Sequence, residues 1–372
     1  LISAHNKIGL YLQQAMPTKL KTIHKRIIII AILATVLFLL GVFQEHPDAV
    51  ERYYSQGLYV GICKILHPAF NIIPFSLGDV IYIAVVAYLI YIFFRLIYLL
   101  FKKQFGKALN LFLATIAGVQ AGMLVFYLFW GLNYFRPSAA QRLGLSDTTF
   151  TTVDLKNVTR IIIDSANATR TRITHSDTLQ ANEMIYQTAV NAVAKISADS
   201  SNFRTYHPHI KPSLLTPLMN YLSTSGYYNP FTTEAQINYQ MPIFERPFVA
   251  CHEMSHQIGY GPEDEANFAG FLAGIGSNDR LLRYSSYQLA LDECMYALRR
   301  RDSLVSNQLK PFISKQVRGD LRAQRAYWLK FRGNLGLLSS MFYDDYLKAN
   351  NQPQGLGTYN QMVVLLIAWY RK

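Results

Sequence analysis

Hydrophobic and polar positions divide the chain into two regimes. From Ile27 to Phe43 the run "IIIIAILATVLFLLGVF" carries no charge. A second apolar run extends from about Val80 to Phe101, with Arg95 near its end, and a third from about Leu109 to Phe135. Runs of this length predict three membrane-spanning helices, about 27–43, 80–101 and 109–135. The first is short enough to rival a signal peptide, but "QEHPDAVER" follows it and offers no small-x-small cleavage site. Trp130 and Tyr134, at the end of the third, suit an interfacial aromatic belt. Between the first two runs, "YYSQGLYVGICKILHPAFNIIPFSLGD" predicts a short amphipathic helix, lying either on a membrane surface or against the soluble part of the chain.

After Pro137 the periodicity is that of a globular domain. "TTVDLKNVTRIIIDSANATRTRI" and "DTLQANEMIYQTAVNAVAKIS" predict amphipathic helices, the second capped by Asp177. "SLLTPLMNYLSTSG" predicts a helical or mixed stretch stopped by Gly226. From Ala235 to Met241 the pattern alternates, which predicts a half-buried strand, and Pro242 ends it as at a sheet edge. Further helices are expected around 281–301, 311–331, 335–349 and 359–370, the last too short to span and assigned to the core. The expected fold is mainly α: three amino-terminal transmembrane helices, then a helical α+β domain with a small sheet. The expected division is a basic cytoplasmic segment at 1–26, a membrane domain at 27–135 and a soluble domain at 136–372. Met16 offers an alternative native start.

Charge adds an orientation. The chain has a formal net charge of +13. Residues 1–107 hold 11 Lys/Arg against 4 Asp/Glu, so much of the basicity lies beside the apolar runs. That placement suits anionic lipid head groups, and no basic helix with interleaved aromatics points to nucleic acid. Lys19, Lys21, Lys25 and Arg26 precede the first run, and Lys102, Lys103 and Lys107 separate the second from the third. By the positive-inside rule both segments are cytoplasmic, and everything from about Arg136 is extracytoplasmic. Cys63, Cys251 and Cys294 are too few and too scattered for a disulfide framework and read as small buried residues.

The chemistry concentrates in "RPFVACHEMSHQIGYGPEDEANF". Pro247 fits a first helical position and Gly259 the residue past the helix end. On that helix His252 and His256 lie one turn apart, so their imidazoles can meet at one zinc ion, while Glu253 sits beside the ion as a general base. A catalytic zinc wants a third protein ligand and an open position for water. A second helix opens at Gly261 and Pro262 and offers Glu263, Asp264 and Glu265. Glu263 is favoured because it shares a face with Asn267 at i, i+4, with Glu265 as the alternative and Asp264 and Glu293 as outsiders. Tyr239, Tyr260, Tyr284 and Tyr287 are candidates for an oxyanion donor, although packing is the common role of a buried tyrosine. His207 and His209 are candidate neighbours of the site. The 235–241 strand is a candidate edge for pairing with an extended peptide.

The stretch resembles the HExxH zinc metallopeptidases of the glutamate-ligand type, in which a carboxylate on a following helix completes the site; "EDEAN" is similar to that second element. "HEMSHQIG" also resembles the metzincin opening, but Pro262 stands in the place of that group's third histidine. Nearly the whole chain resembles a bacterial membrane family named domain-of-unknown-function family 3810, through the three apolar helices, "GYYNPFTTEAQIN", "HEMSHQIG", "EDEANF" and "GTYNQMVVLLIAW". The resemblance implies a multi-pass protein of the bacterial cytoplasmic membrane. The expected function is a membrane-anchored zinc hydrolase, most readily a peptidase acting on a peptide or protein. The alternative is a non-catalytic envelope protein with a structural metal or a binding role.

Overall fold

The computed structural model describes residues 18–145 and 149–372. Met16, and the basic segment as far as residue 17, lie outside the described residues. The chain forms two compact units. One holds the chain through His46 together with Val80–Phe129; the other holds Pro47–Asp79 with Trp130–Lys372.

The first unit is built on three helices: α1 (Thr18–Gln44), most of α3 (Leu77–Phe101) and α4 (Phe105–Phe129). Each is long and apolar enough to cross a membrane. They expose large apolar side chains such as Phe38, Tyr88, Phe94 and Phe112, the surface of a helix meant for a nonpolar solvent. The third helix ends at Phe129 rather than near Phe135, and Gly131–Phe135 forms a 3-10 turn in the second unit. Trp130 and Tyr134 are both 3% exposed there, so they are not an interfacial belt. Their polar atoms have protein partners in the second unit, which is why aromatic character alone misassigned them.

In the second unit, the Pro47–Asp79 segment packs against the Trp130–Lys372 part. A π-helical stretch, Val50–Leu58, runs into α2 (Tyr59–Asn71). Of the two readings of this segment, the structure favours packing: the Tyr59 hydroxyl donates to Gln257 O at 2.9 Å. A three-stranded sheet follows, with β1 (Ile210–Pro212), β2 (Gly226–Asn229) and β3 (Glu234–Ile237) in the order β1-β3-β2. β3 pairs parallel with β1 and antiparallel with β2. It is therefore the central strand, not the expected edge, and all four of its residues are buried. Alternation over 235–241 was misleading because Gln236 and Asn238 are satisfied inside the protein, by Ser76 and Asn220 respectively. Gly226 opens β2 instead of stopping a helix; the preceding helix is only Thr216–Tyr221.

The polar face of the sheet is closed by the start of α3. The Glu234 carboxylate accepts from the Leu77 and Gly78 amides at 3.3 and 2.6 Å and from Lys211 Nζ at 2.6 Å. Asp79 accepts from the Leu214 amide at 2.7 Å and from the Ser213 and Tyr227 hydroxyls. Carboxylates this deeply buried are tolerable only with such partners.

On the sheet's other face sits the core helix α7 (Arg246–Gln257), and α8 (Glu263–Ile275) packs on α7. Around them lie α5 (Thr152–Arg170), α6 (Asn182–Asp199), α9 (Arg280–Arg301), α10 (Lys315–Lys330), α11 (Asn334–Ala349) and α12 (Met362–Arg371). Asp177 does not cap α6. Its carboxylate accepts from the Thr174 amide and caps the one-turn helix His175–Thr178, while α6 begins after Ala181. The core joins Ile162, Met254, Phe268, Phe271, Leu291 and Leu366, and the three cysteines are buried and unbridged.

Candidate metal centre

α7 is buried from Pro247 through Gln257, polar residues included. A helix buried all round must find partners for the carbonyls of its last turn. Two side chains supply them, and a third holds the turn that follows. Trp130 Nε1 donates to His256 O at 2.8 Å, Tyr59 to Gln257 O, and Arg136 Nη1 to Gly259 O at 2.8 Å. Arg136 is held in turn by Glu51 of the π-helical stretch, through bonds of 2.6 and 2.9 Å. The end of α7 is thus fixed from several sides.

Gly259, at φ +89°, turns the chain sharply after α7 in a conformation that an L side chain rarely adopts. The turn returns Tyr260 O to His256 Nδ1 at 2.7 Å and starts α8 with Glu263 against the two histidines. His252 Nε2, His256 Nε2 and Glu263 Oε2 converge. The carboxylate oxygen lies 3.2 Å from the first nitrogen and 3.5 Å from the second. Two ligands about 2.0 Å from a tetrahedral ion stand about 3.3 Å apart, so the separations suit zinc. They also suit hydrogen bonds, and ring orientation therefore matters more. His256 donates its Nδ1 proton to Tyr260 O, which fixes the ring and directs Nε2 toward the carboxylate. Glu263 Oε2 faces the two imidazole nitrogens, whereas Oε1 accepts from the Tyr343 hydroxyl at 2.6 Å. The donor set of two imidazoles and one carboxylate fits zinc, and among the described residues no fourth His, Cys, Asp or Glu joins it.

The electrostatics favour a cation among these groups. Burial works against a charged Glu263, but the two imidazoles outweigh it and hold its carboxyl well below the usual carboxylate range. Burial also opposes a charged His256, yet Glu263 raises its pKa to about 9. Glu253 stands apart. Burial, opposed by the histidines and reinforced by Glu263, raises it to about 7. Burial and the charge of Glu263 push the Tyr343 and Tyr359 hydroxyls far up, so both remain donors. The Tyr359 ring stacks on His252 with centroids 6.3 Å apart, and its hydroxyl is 3.4 Å from that of Tyr343.

The chain matches the family described as protein of unknown function (DUF3810) over residues 54–367. It belongs to that family. No curated protein and no solved structure matches the chain. The matched region takes in the cluster, the sheet and both tyrosines that adjoin Glu263.

The other candidates lie elsewhere. Glu265 accepts from the Ala139 amide at 2.6 Å and pairs with Arg142 at 2.8 Å, outside the cluster. Asp264, Glu293, His207 and His209 are not part of it either. The His209 backbone exchanges hydrogen bonds with the Gln257 side chain of α7. The Tyr260 hydroxyl donates to Asn202 O and that of Tyr284 to Asp320, while Tyr287 packs edge-on against Phe271 and Tyr239 is at the surface. The tyrosines beside Glu263 are Tyr343 and Tyr359, which periodicity did not single out. "GTYNQ", within a stretch already noted for its resemblance to the family, was the available signal for Tyr359.

Gly226 has a specific reason to be glycine. A Cβ there would fall 2.5 Å from Glu253 Oε1, 2.7 Å from its Cγ and 2.8 Å from Gln236 O. Gly226→Ala should therefore displace the Glu253 carboxylate. We expect a loss of about 1–3 kcal/mol in stability from overpacking, and a fall of about 10²-fold in any activity that depends on the position of Glu253. Zinc content should not change. A thermal melt with metal analysis and a rate measurement checks this, and unaltered rates would remove Glu253 from the reaction.

Proposed function

We propose that the protein is a membrane-anchored zinc-dependent hydrolase, most readily a peptidase, with its second unit on the extracytoplasmic side of a bacterial cytoplasmic membrane. The observation that carries the reading is the buried convergence of His252, His256 and Glu263 with Glu253 one residue along the helix. These three side chains would hold the ion, giving the arrangement of a zincin-like domain. A bound zinc would act as a Lewis acid and make a water acidic enough to attack a carbonyl. Glu253 takes the proton from that water and delivers it to the leaving amine. Burial pushes this carboxyl up from its ordinary value, which suits a group that accepts a proton and returns it. Tyr343 holds Glu263 in place through Oε1. A three-member donor set leaves a position for substrate, which favours catalysis over a closed structural metal. Pairing of a substrate strand with 235–241 is not part of this reading, since both edges of β3 are taken. The test is zinc content and cleavage of a mixed peptide library by the purified full chain, beside its Glu253→Gln variant.

The orientation is separately testable. The basic flank of α1 and Lys102, Lys103 and Lys107 between α3 and α4 place those segments in the cytoplasm. Reporter fusions at Gln104 and after Lys372 should report opposite sides of the membrane. The same side for both would refute the arrangement.

A further inference from the structure

The two carboxylates of the centre are each touched by a different segment, and these two segments wall a groove. Glu253 abuts the backbone of Gly226, four residues after Leu222. Glu263 accepts from Tyr343 of α11. A groove of about 450 Å³ lies between them, lined by Leu222 on one side and by Leu335, Leu338, Phe342, Tyr343 and Tyr346 on the other. Four residues of chain span at most about 14 Å, so Leu222 stands within that distance of Gly226. The Tyr343 ring is shared between the groove and the centre.

The lining has one chemical character. No charged residue contributes to it, and Ser339 brings the one aliphatic hydroxyl. The tyrosine hydroxyls are engaged elsewhere, that of Tyr343 with Glu263 and that of Tyr346 with Tyr134. Leu335, Leu338 and Phe342 are 55%, 50% and 69% exposed, although α11 has polar positions available for a solvent face. Large apolar side chains left exposed on one helix mark a binding surface.

Resting on the hydrolase reading above, we propose that this groove seats large apolar side chains of an extended polypeptide substrate beside its scissile bond. Its walls continue into the segments that position Glu253 and Glu263, so the occupant is the substrate itself. The stretch of α11 from Leu335 to Tyr346 rises about 16 Å, the length of about five extended residues. Several side chains of one peptide can therefore lie along it, and the groove offers nothing to a charged one.

The experiment uses the full chain in lipid nanodiscs, loaded with zinc, as wild type and as Leu338→Lys and Phe342→Lys. Both substitutions fall on exposed positions and should leave folding and zinc content unchanged. Glu253→Gln protein serves for binding without turnover. Two labelled decapeptides are compared, one alternating Leu and Phe with Ser, the other with Asp and Lys in place of Leu and Phe. The apolar peptide should bind at least tenfold tighter than its charged counterpart, and either lysine should remove most of that advantage. In the active protein, cleavage sites should be flanked by Leu, Phe or Met. Equal binding of the two peptides, or a preference indifferent to both lysines, overturns the groove assignment even if peptides are cleaved. Competition for the groove by free fatty acid but not by the apolar peptide also overturns it, in favour of an acyl chain. Selective binding that the lysines abolish, with no cleavage of any peptide, supports the groove and sinks the hydrolase reading alone.

Discussion

Glu253→Gln protein should contain as much zinc as the wild type and cleave peptides about 10²–10⁴-fold more slowly, the usual contribution of a positioned general base. The two halves of this result have separate causes. Glu253 is outside the group of ligand atoms, so an amide there leaves the metal donors intact. An amide is nearly isosteric with the carboxylate and fits beside Gly226, yet it cannot accept the proton that the attacking water must lose. His252→Ala gives the complementary outcome, because it leaves one nitrogen and one oxygen donor. Its zinc should fall to background, and its activity with it. Equal zinc in the wild type and His252→Ala would dispose of the centre altogether. Full zinc in the wild type with no cleavage of any peptide would turn the reading toward a structural metal in an envelope protein.

The sequence was most informative where a signal is local. Pro247 and Gly259 bracket α7 as expected, and the HExxH spacing brings both histidines to one face. The apolar runs needed only their length to be recognised. Local pattern failed where a buried polar side chain finds a distant partner. Gln236 and Asn238 gave the alternation of an edge strand, yet both lie inside the unit, held by Ser76, 160 residues away, and by Asn220, 18 residues away. Trp130 and Tyr134 continued the third apolar run and were counted with it, but the Trp130 indole N–H is committed to His256 O more than a hundred residues later. The same limit hid Tyr343. Nothing around it in "SSMFYDDYL" indicates that its hydroxyl meets Glu263 from the opposite side of the core. Non-local pairing of this kind cannot be read from one segment at a time.

Glu263 and Glu265 offer the clearest separation of a proposed ligand from a structural carboxylate, since they lie on one helix about 200° apart. Glu263→Ala should lose zinc and, with it, any hydrolysis, because the remaining protein donors are the two imidazoles. It also leaves the Tyr343 hydroxyl without its acceptor, so some loss of stability accompanies the loss of metal. Glu265→Ala should not behave as wild type, as its distance from the metal alone would suggest. It strips the partner from Arg142, whose side chain is 5% exposed, and removes the acceptor of the Ala139 amide. Breaking a buried ion pair from one side costs about 3–5 kcal/mol, since it strands the remaining charge. Glu265→Ala should therefore melt well below the wild type, while the fraction that stays folded binds zinc stoichiometrically. Glu265→Gln keeps an oxygen for the Ala139 amide and should recover part of the lost stability, which guards against a variant that fails to fold. The measurement is zinc per folded molecule together with the melting temperature of each variant. Zinc retained by Glu263→Ala would show that another group completes the centre. Zinc lost by folded Glu265→Gln would exchange the roles of the two carboxylates.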